Sequence, residues 1–182
     1  MASPHSAEGF CIYNDIAITY HNMLVEKTIK PEDKILIIDV DAHHGNGNAY
    51  YFMENANITI LDIYNNDIYP RQPASKARID INVPLASGTN GDAYLDKLEE
   101  NLNKINGGYR LVFVIAGTDV LFDDPLGGFA LSIDDCVRRD SIIINKLLSL
   151  NVPIVVVGGG GYSKNSSKAI SQSIINLAGS NQ

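Results

Sequence analysis

Four short apolar runs rich in Ile and Val constrain this chain more than any other feature. They are Lys34–Asp41 (KILIIDVD), Asn57–Tyr64 (NITILDIY), Leu111–Ala116 (LVFVIA) and Pro153–Val157 (PIVVV). A strand that is apolar on both faces has to be covered on both, as parallel strands buried between helices are. Helical periodicity fills the gaps between the runs. Gly91–Ile105 places Tyr94, Leu95, Leu98, Leu102 and Ile105 on one stripe, and Gly107-Gly108 stops it. Ser132–Asn151 opens on Ser132-x-x-Asp135, a start of capping-box type. The stretch Lys164–Ala178 is expected to turn Ala169, Ile170, Ile174, Ile175 and Leu177 inward, with Gly179 as its C-cap. This alternation predicts an α/β fold in three layers, α/β/α, around a mainly parallel sheet. No internal repeat interrupts it. A length of 182 residues fits one domain spanning 1–182.

Composition removes several classes of function. Fourteen basic against 21 acidic side chains leave a net charge of −7, which argues against a nucleic-acid partner. Cys11 and Cys136 form no CxxC pair, so neither a disulfide framework nor a thiolate zinc site is expected. A reducing, cytoplasmic location fits. No apolar run approaches the roughly 20 residues of a membrane span. The first ten residues, MASPHSAEGF, carry no secretory signature and read like the middle of a loop.

In open parallel sheets ligands bind beyond the carboxyl ends of the strands, and three of those ends stand out. The first is Asp39-Val-Asp-Ala-His-His-Gly-Asn46. Asp39, Asp41 and His43 are spaced to share one face if the strand continues. Oxygen and imidazole donors together suit zinc or another first-row ion. A polar strand end at the surface is the alternative. His44, on the other face, reads as a structural hydrogen-bonding residue. The second is Ala116-Gly-Thr-Asp119, which brings another carboxylate to the same edge. Asp41, His43 and Asp119 would leave one coordination position open, the layout of a catalytic metal site. The third is Gly158-Gly-Gly-Gly-Tyr162. It matches neither a phosphate loop nor a dinucleotide fingerprint. What it offers is a phenol at the mouth of the site, able to donate a hydrogen bond to a developing oxyanion.

DVDAHHGNG, AGTD followed by DDPLGG, and GGGGY, in that order, resemble the zinc-dependent histone deacetylase family, and GFCIYND matches another of its motifs. LDIYNNDIYP and SIINLAG look most like class IV, the subgroup that includes bacterial members. The resemblance implies the arginase/deacetylase fold and hydrolysis of acyl-lysine or a related amide. By motif position it implies Asp41, His43 and Asp119 as ligands of one Zn2+. Tyr162 then polarises the amide carbonyl. Phe10 and Tyr69, with Gly160 and Gly161, belong to the substrate tunnel. Asp39 and Asn46 orient two histidines at the tunnel floor, and Asp39 helps hold a buried K+. The related arginases bind two metals through DAHxD. Here Gly45 ends that motif, and Leu121 stands where a second site wants Asp, so one catalytic metal is expected.

The resemblance also implies a departure. The family's His-His pair, its general base and acid, would fall at Met1 and the position before it. The chain is therefore expected to be the C-terminal two thirds of the family domain, N-terminally truncated. His5 is the only imidazole upstream of the GFC motif, and general-base geometry tolerates little displacement. Two readings follow: a deacetylase-like zinc hydrolase with activity in doubt, and a non-catalytic metal- or acyl-binding or assembly module. Self-association is expected to cover the face that the missing segment would otherwise bury.

Overall fold

The computed structural model describes residues 2–179. Five parallel strands form one sheet: β1 (Ile35–Asp39), β2 (Ile58–Asn65), β3 (Ile81–Leu85), β4 (Leu111–Ala116) and β5 (Ile154–Gly158), in spatial order β3-β2-β1-β4-β5. Six helices accompany them: α1 (Asp15–Val25), α2 (Asn46–Tyr51), α3 (Pro73–Lys76), α4 (Gly91–Leu102), α5 (Ile133–Ser149) and α6 (Ser166–Gly179). The chain runs outward from β1 to β3, then returns to lay β4 and β5 on the other side of β1. The strand order therefore reverses between β1 and β4, and the open crevice of such a sheet lies at that point.

Alternate residues of the strands feed two cores. On one face Leu36, Ile38, Leu61, Ile63, Val112 and Val114 pack with α4 and α5. On the other, Ile35, Ile37, Ile60 and Phe113 pack with α1 and with Ala49 and Phe52. The three layers expected from sequence are thus present. The capping box on α5 forms as read: Asp135 N–H donates to Ser132 Oγ at 3.1 Å, and Ser132 N–H donates to Asp135 Oδ2 at 2.9 Å.

Several local expectations are corrected. The first strand stops at Asp39, so Asp41 and His43 converge through a turn and not along a pleat. Strand β3, absent from the apolar runs above, is a short edge strand carrying Pro84, which is tolerated only where no partner needs its missing N–H. Helix α1 is rich in β-branched residues but is capped by Asn14, whose side chain accepts the Ala17 N–H at 2.9 Å. Helix α2, NGNAYY, has no apolar period to reveal it. Gly179 is the last described residue of α6, and a cap beyond it lies outside the described residues. The inward set of α6 is wrong in part: Ala169 is buried, but Ile170, Ile174 and Ile175 are exposed, Ile175 by 70%. Strand β5 likewise sits at the sheet edge with Val155 and Val156 exposed, the latter by 53%, although its sequence is that of a strand covered on both faces. No described strand lies beyond it.

Candidate active site

The C-terminal ends of β1, β4 and β5 meet at the strand-order reversal. There the side chains of Asp41, His43 and Asp119 bring one ligand atom each within 4.8 Å of one another. His43 Nδ1 lies 2.8 Å from Asp119 Oδ2 and 3.2 Å from Asp41 Oδ1. Without a metal, a proton on this nitrogen bridges the two carboxylates. Burial works against that charge, but the hydrogen bonds to Asp119 and Asp41 dominate and push the imidazole up to about 10. Burial and the nearby Asp41 raise the Asp119 carboxyl, while hydrogen bonds from His43 and the Gly160 N–H overcome burial and hold Asp41 down. A site that attracts protons this strongly is an anionic cradle suited to a divalent cation.

Backbone amides fix the carboxylates. The Ala42 N–H donates to Asp119 Oδ1 at 2.9 Å, and the His43 N–H to Asp41 Oδ1 at 2.8 Å. The four-glycine run makes the remaining contact. The Gly160 N–H donates to Asp41 Oδ2, and a Cβ at Gly160 would stand 2.4 Å from Asp119 Oδ2, so only glycine brings this backbone so close to both.

Above the cradle opens a cleft of about 310 Å³, lined by Phe10, Tyr69, Tyr162, Gly160, Asp41 and His43. Phe10 sits at φ +62°, uncommon for a bulky residue, and its ring, 85% exposed, meets Tyr162 edge-on at 5.9 Å between centroids. Tyr69 donates its hydroxyl proton to Glu8 Oε2 at 3.2 Å. Gly161 is not among the residues lining the cleft, and a Cβ there would collide with Thr118 Oγ1. Burial raises the Tyr162 phenol, with the Asp41, Asp119 and Asp124 charges adding to it, so the hydroxyl keeps its proton and remains a donor.

The resemblance makes Asp39 and Asn46 partners of histidines. Asn46 donates to Glu8 Oε2 and Gln72 Oε1, both at 3.0 Å. Asp39 lies one layer deeper, paired in register with Asp62 of β2. Oxygens Asp39 Oδ2 and Asp62 Oδ1 are both buried without a hydrogen-bond partner. Burial raises the Asp39 carboxyl well above its usual range, and the Asp62 and Asp41 charges raise it further. Two orphaned carboxylate oxygens at paired positions fit a buried monovalent cation. Asp62 escaped the sequence reading, although a carboxylate inside the apolar run NITILDIY was the available signal.

His44 is buried, with Nδ1 2.7 Å from Asp62 Oδ2 and Nε2 2.8 Å from Ser75 Oγ. The order Ser–His–Asp resembles a nucleophilic triad. Ser75 is wholly buried and donates to the Gln72 carbonyl, so no substrate reaches it. His5 lines a separate cleft with Ala2, Ile12 and Tyr13. Among the described residues, His43 and His44 are the only imidazoles lining the metal cleft.

The histone deacetylase domain model matches residues 2–178. This chain belongs to the histone deacetylase family. Histone deacetylase 2 of Arabidopsis thaliana is 38% identical over 172 residues, which cover 93% of this chain and 44% of that protein. A solved histone deacetylase homologue from Aquifex aeolicus superposes with a TM-score of 0.81 at 25% identity, over 98% of this chain and 49% of that one. Acetylpolyamine aminohydrolase from Burkholderia pseudomallei shares the fold, with a TM-score of 0.79 at 23% identity, over 96% and 52%. The chain thus spans about half the length of these relatives. The arrangement of sheet and helices is the arginase/deacetylase fold. The family is zinc-dependent, and Asp41, His43 and Asp119 form a group able to hold such an ion. No helix among the described residues is long and apolar enough to cross a membrane.

Proposed function

We propose that this chain carries the metal-and-carbonyl half of a hydrolytic site for acyl-lysine or a similar linear amide. The observation that carries it is the convergence of Asp41, His43 and Asp119 within 4.8 Å at the base of a cleft walled by Phe10, Tyr69 and Tyr162. One zinc ion fits this donor set. Leu121, buried in the core, and Gly45 supply no ligand for a second. When bound, zinc supplies Lewis-acid polarisation of the acyl carbonyl and lowers the pKa of a water.

The chain's own residues do the rest. The rings of Phe10 and Tyr69 flank the aliphatic stem of the substrate and exclude water from it. Tyr162 donates its hydroxyl proton to the carbonyl oxygen as negative charge develops there. Asp39, with Asp62, would hold K+, which would supply the positive charge their buried carboxylates lack and stiffen the end of β1.

Proton transfer is the part these residues do not supply, since the two imidazoles that line the cleft are committed to Asp41, Asp119, Asp62 and Ser75. This favours a second reading for the 182 residues taken alone: a module that binds zinc and acyl groups without efficient turnover. Losing general acid–base help lowers rates by about 10²–10⁴. The deciding experiment pairs a zinc-dependent assay on acetyl- and long-acyl-lysine peptides with calorimetry of an acyl-hydroxamate. Turnover that Tyr162→Phe lowers by about 10²–10³ supports the hydrolase. Hydroxamate binding without turnover supports the module. Failure to bind either zinc or hydroxamate overturns both.

The exposed β5 edge, flanked by Val155, Val156, Ile170 and Ile174, pairs with the same edge of a second copy about a two-fold axis, the commonest closed symmetry. The unpaired thiols of Cys11 and Cys136 support a reducing, cytoplasmic location.

A further inference from the structure

Arg139 is the largest wholly buried side chain among the described residues. Burying a guanidinium is costly unless every charge and donor is answered. Its partners explain the placement. Nη1 donates to the Gly117 carbonyl at 2.6 Å and to the Val40 carbonyl at 3.2 Å. Nε donates to Asp140 Oδ1 at 2.9 Å, and Nη2 lies 2.8 Å from the same oxygen, an ion pair in which Nη2 itself makes no hydrogen bond. Asp140 is itself anchored by the Ser173 hydroxyl of α6 at 2.6 Å. Val40 immediately precedes Asp41, and Gly117 lies two residues before Asp119. One nitrogen therefore ties together the two turns that deliver the carboxylates of the metal cradle, reaching them from the α5 side of the sheet. The turns are already in close contact, since a Cβ at Gly117 would stand 2.7 Å from the Asp41 α-carbon.

We propose that Arg139 is a positioning residue for the metal centre, fixing the separation of Asp41 and Asp119 so that both carboxylates reach one ion. This rests on the metal-site reading above. A planar fork anchored by a carboxylate holds two carbonyls at a fixed spacing, whereas an ammonium on a flexible stem does not. Without the guanidinium both carbonyls lose a buried donor and the turns are free to separate.

The test measures zinc affinity by chelator competition, and the visible spectrum of the Co2+-substituted protein, for wild type, Arg139→Met, Arg139→Lys and Asp140→Asn. Asp140→Asn keeps the guanidinium but loosens its anchor, and so serves if Arg139→Met does not fold. Ile143→Val, a buried substitution on the same helix, controls for lost stability. Arg139→Met and Asp140→Asn are expected to weaken zinc binding by about 10–100-fold and to alter the Co2+ spectrum. Arg139→Lys should fall between them and wild type, and Ile143→Val should leave both readouts unchanged. Folded variants with wild-type affinity and spectrum overturn the proposal, as does an equal loss in Ile143→Val. A wild-type protein that binds neither metal overturns the metal-site reading itself, and this inference with it.

Discussion

Asp124 holds Tyr162 by its backbone: Asp124 Oδ2 accepts the Tyr162 N–H at 2.7 Å and the Ser163 N–H at 3.1 Å. The other oxygen, Oδ1, accepts the N–H groups of Leu126 at 2.9 Å and Gly127 at 3.1 Å. One carboxylate thereby joins the loop after β4 to the glycine loop after β5. The phenol over the cradle owes its position to a residue that never touches the cleft.

Asp124→Ala should therefore lower stability by about 2–3 kcal/mol, since charged hydrogen bonds to four amides are lost together. The fuller signature is a split between ligands. Zinc affinity should hold, because no metal ligand is touched, while acyl-hydroxamate affinity falls as Tyr162 loses its register. Calorimetry with each ligand separates the two, and a parallel loss of both contradicts the assignment.

Zinc binding should release protons. His43 is raised from 6.5 to about 10, so in the metal-free protein its contribution to stability is full below 6.5 and is lost as pH rises through about 10. The ion must displace that proton, so apparent zinc affinity should tighten by about tenfold per pH unit for each proton released below that range. Competition titrations at pH 6, 7 and 8 check this, and a flat profile counts against it. Elemental analysis should find one equivalent of zinc in the wild type and almost none in Asp119→Ala.

Potassium should stabilise the fold through Asp39 and Asp62. With the ion about tenfold above its Kd, linkage gives about 1.4 kcal/mol. Thermal unfolding in K+ against tetramethylammonium at equal ionic strength should show the increment. Asp62→Asn should abolish most of it, because the substitution removes one of the two buried carboxylates. An increment unchanged in that variant would place the ion elsewhere.

The β5 edge should drive self-association. Light scattering at tens of micromolar should give at least a dimer mass, and Val156→Lys, which sets a charge on the exposed strand, should return a monomer. A monomeric wild type removes the proposed interface.

The apolar runs mark four of the five strands, and helical periodicity marks α4, α5 and α6. Both signals are one-dimensional, reporting how often a face recurs as covered. The same limit explains β3, α1 and α2, where Pro84, β-branched residues and a polar, glycine-containing turn hide the period. Residue identity and order also singled out Asp41, His43, Asp119 and Tyr162, because carboxylate, imidazole and phenol at strand ends are chemically unusual. Tertiary structure alone decided how they meet. The Ala42–Asp119 bond spans 77 residues, the Arg139–Val40 bond 99 and the Gly160–Asp41 bond 119. Contacts at such separations are fixed by the reversal of strand order between β1 and β4, which no local pattern encodes. Exposure of β5 is of the same kind: its sequence is that of a covered strand, and only its place at the edge of the sheet leaves Val156 in water.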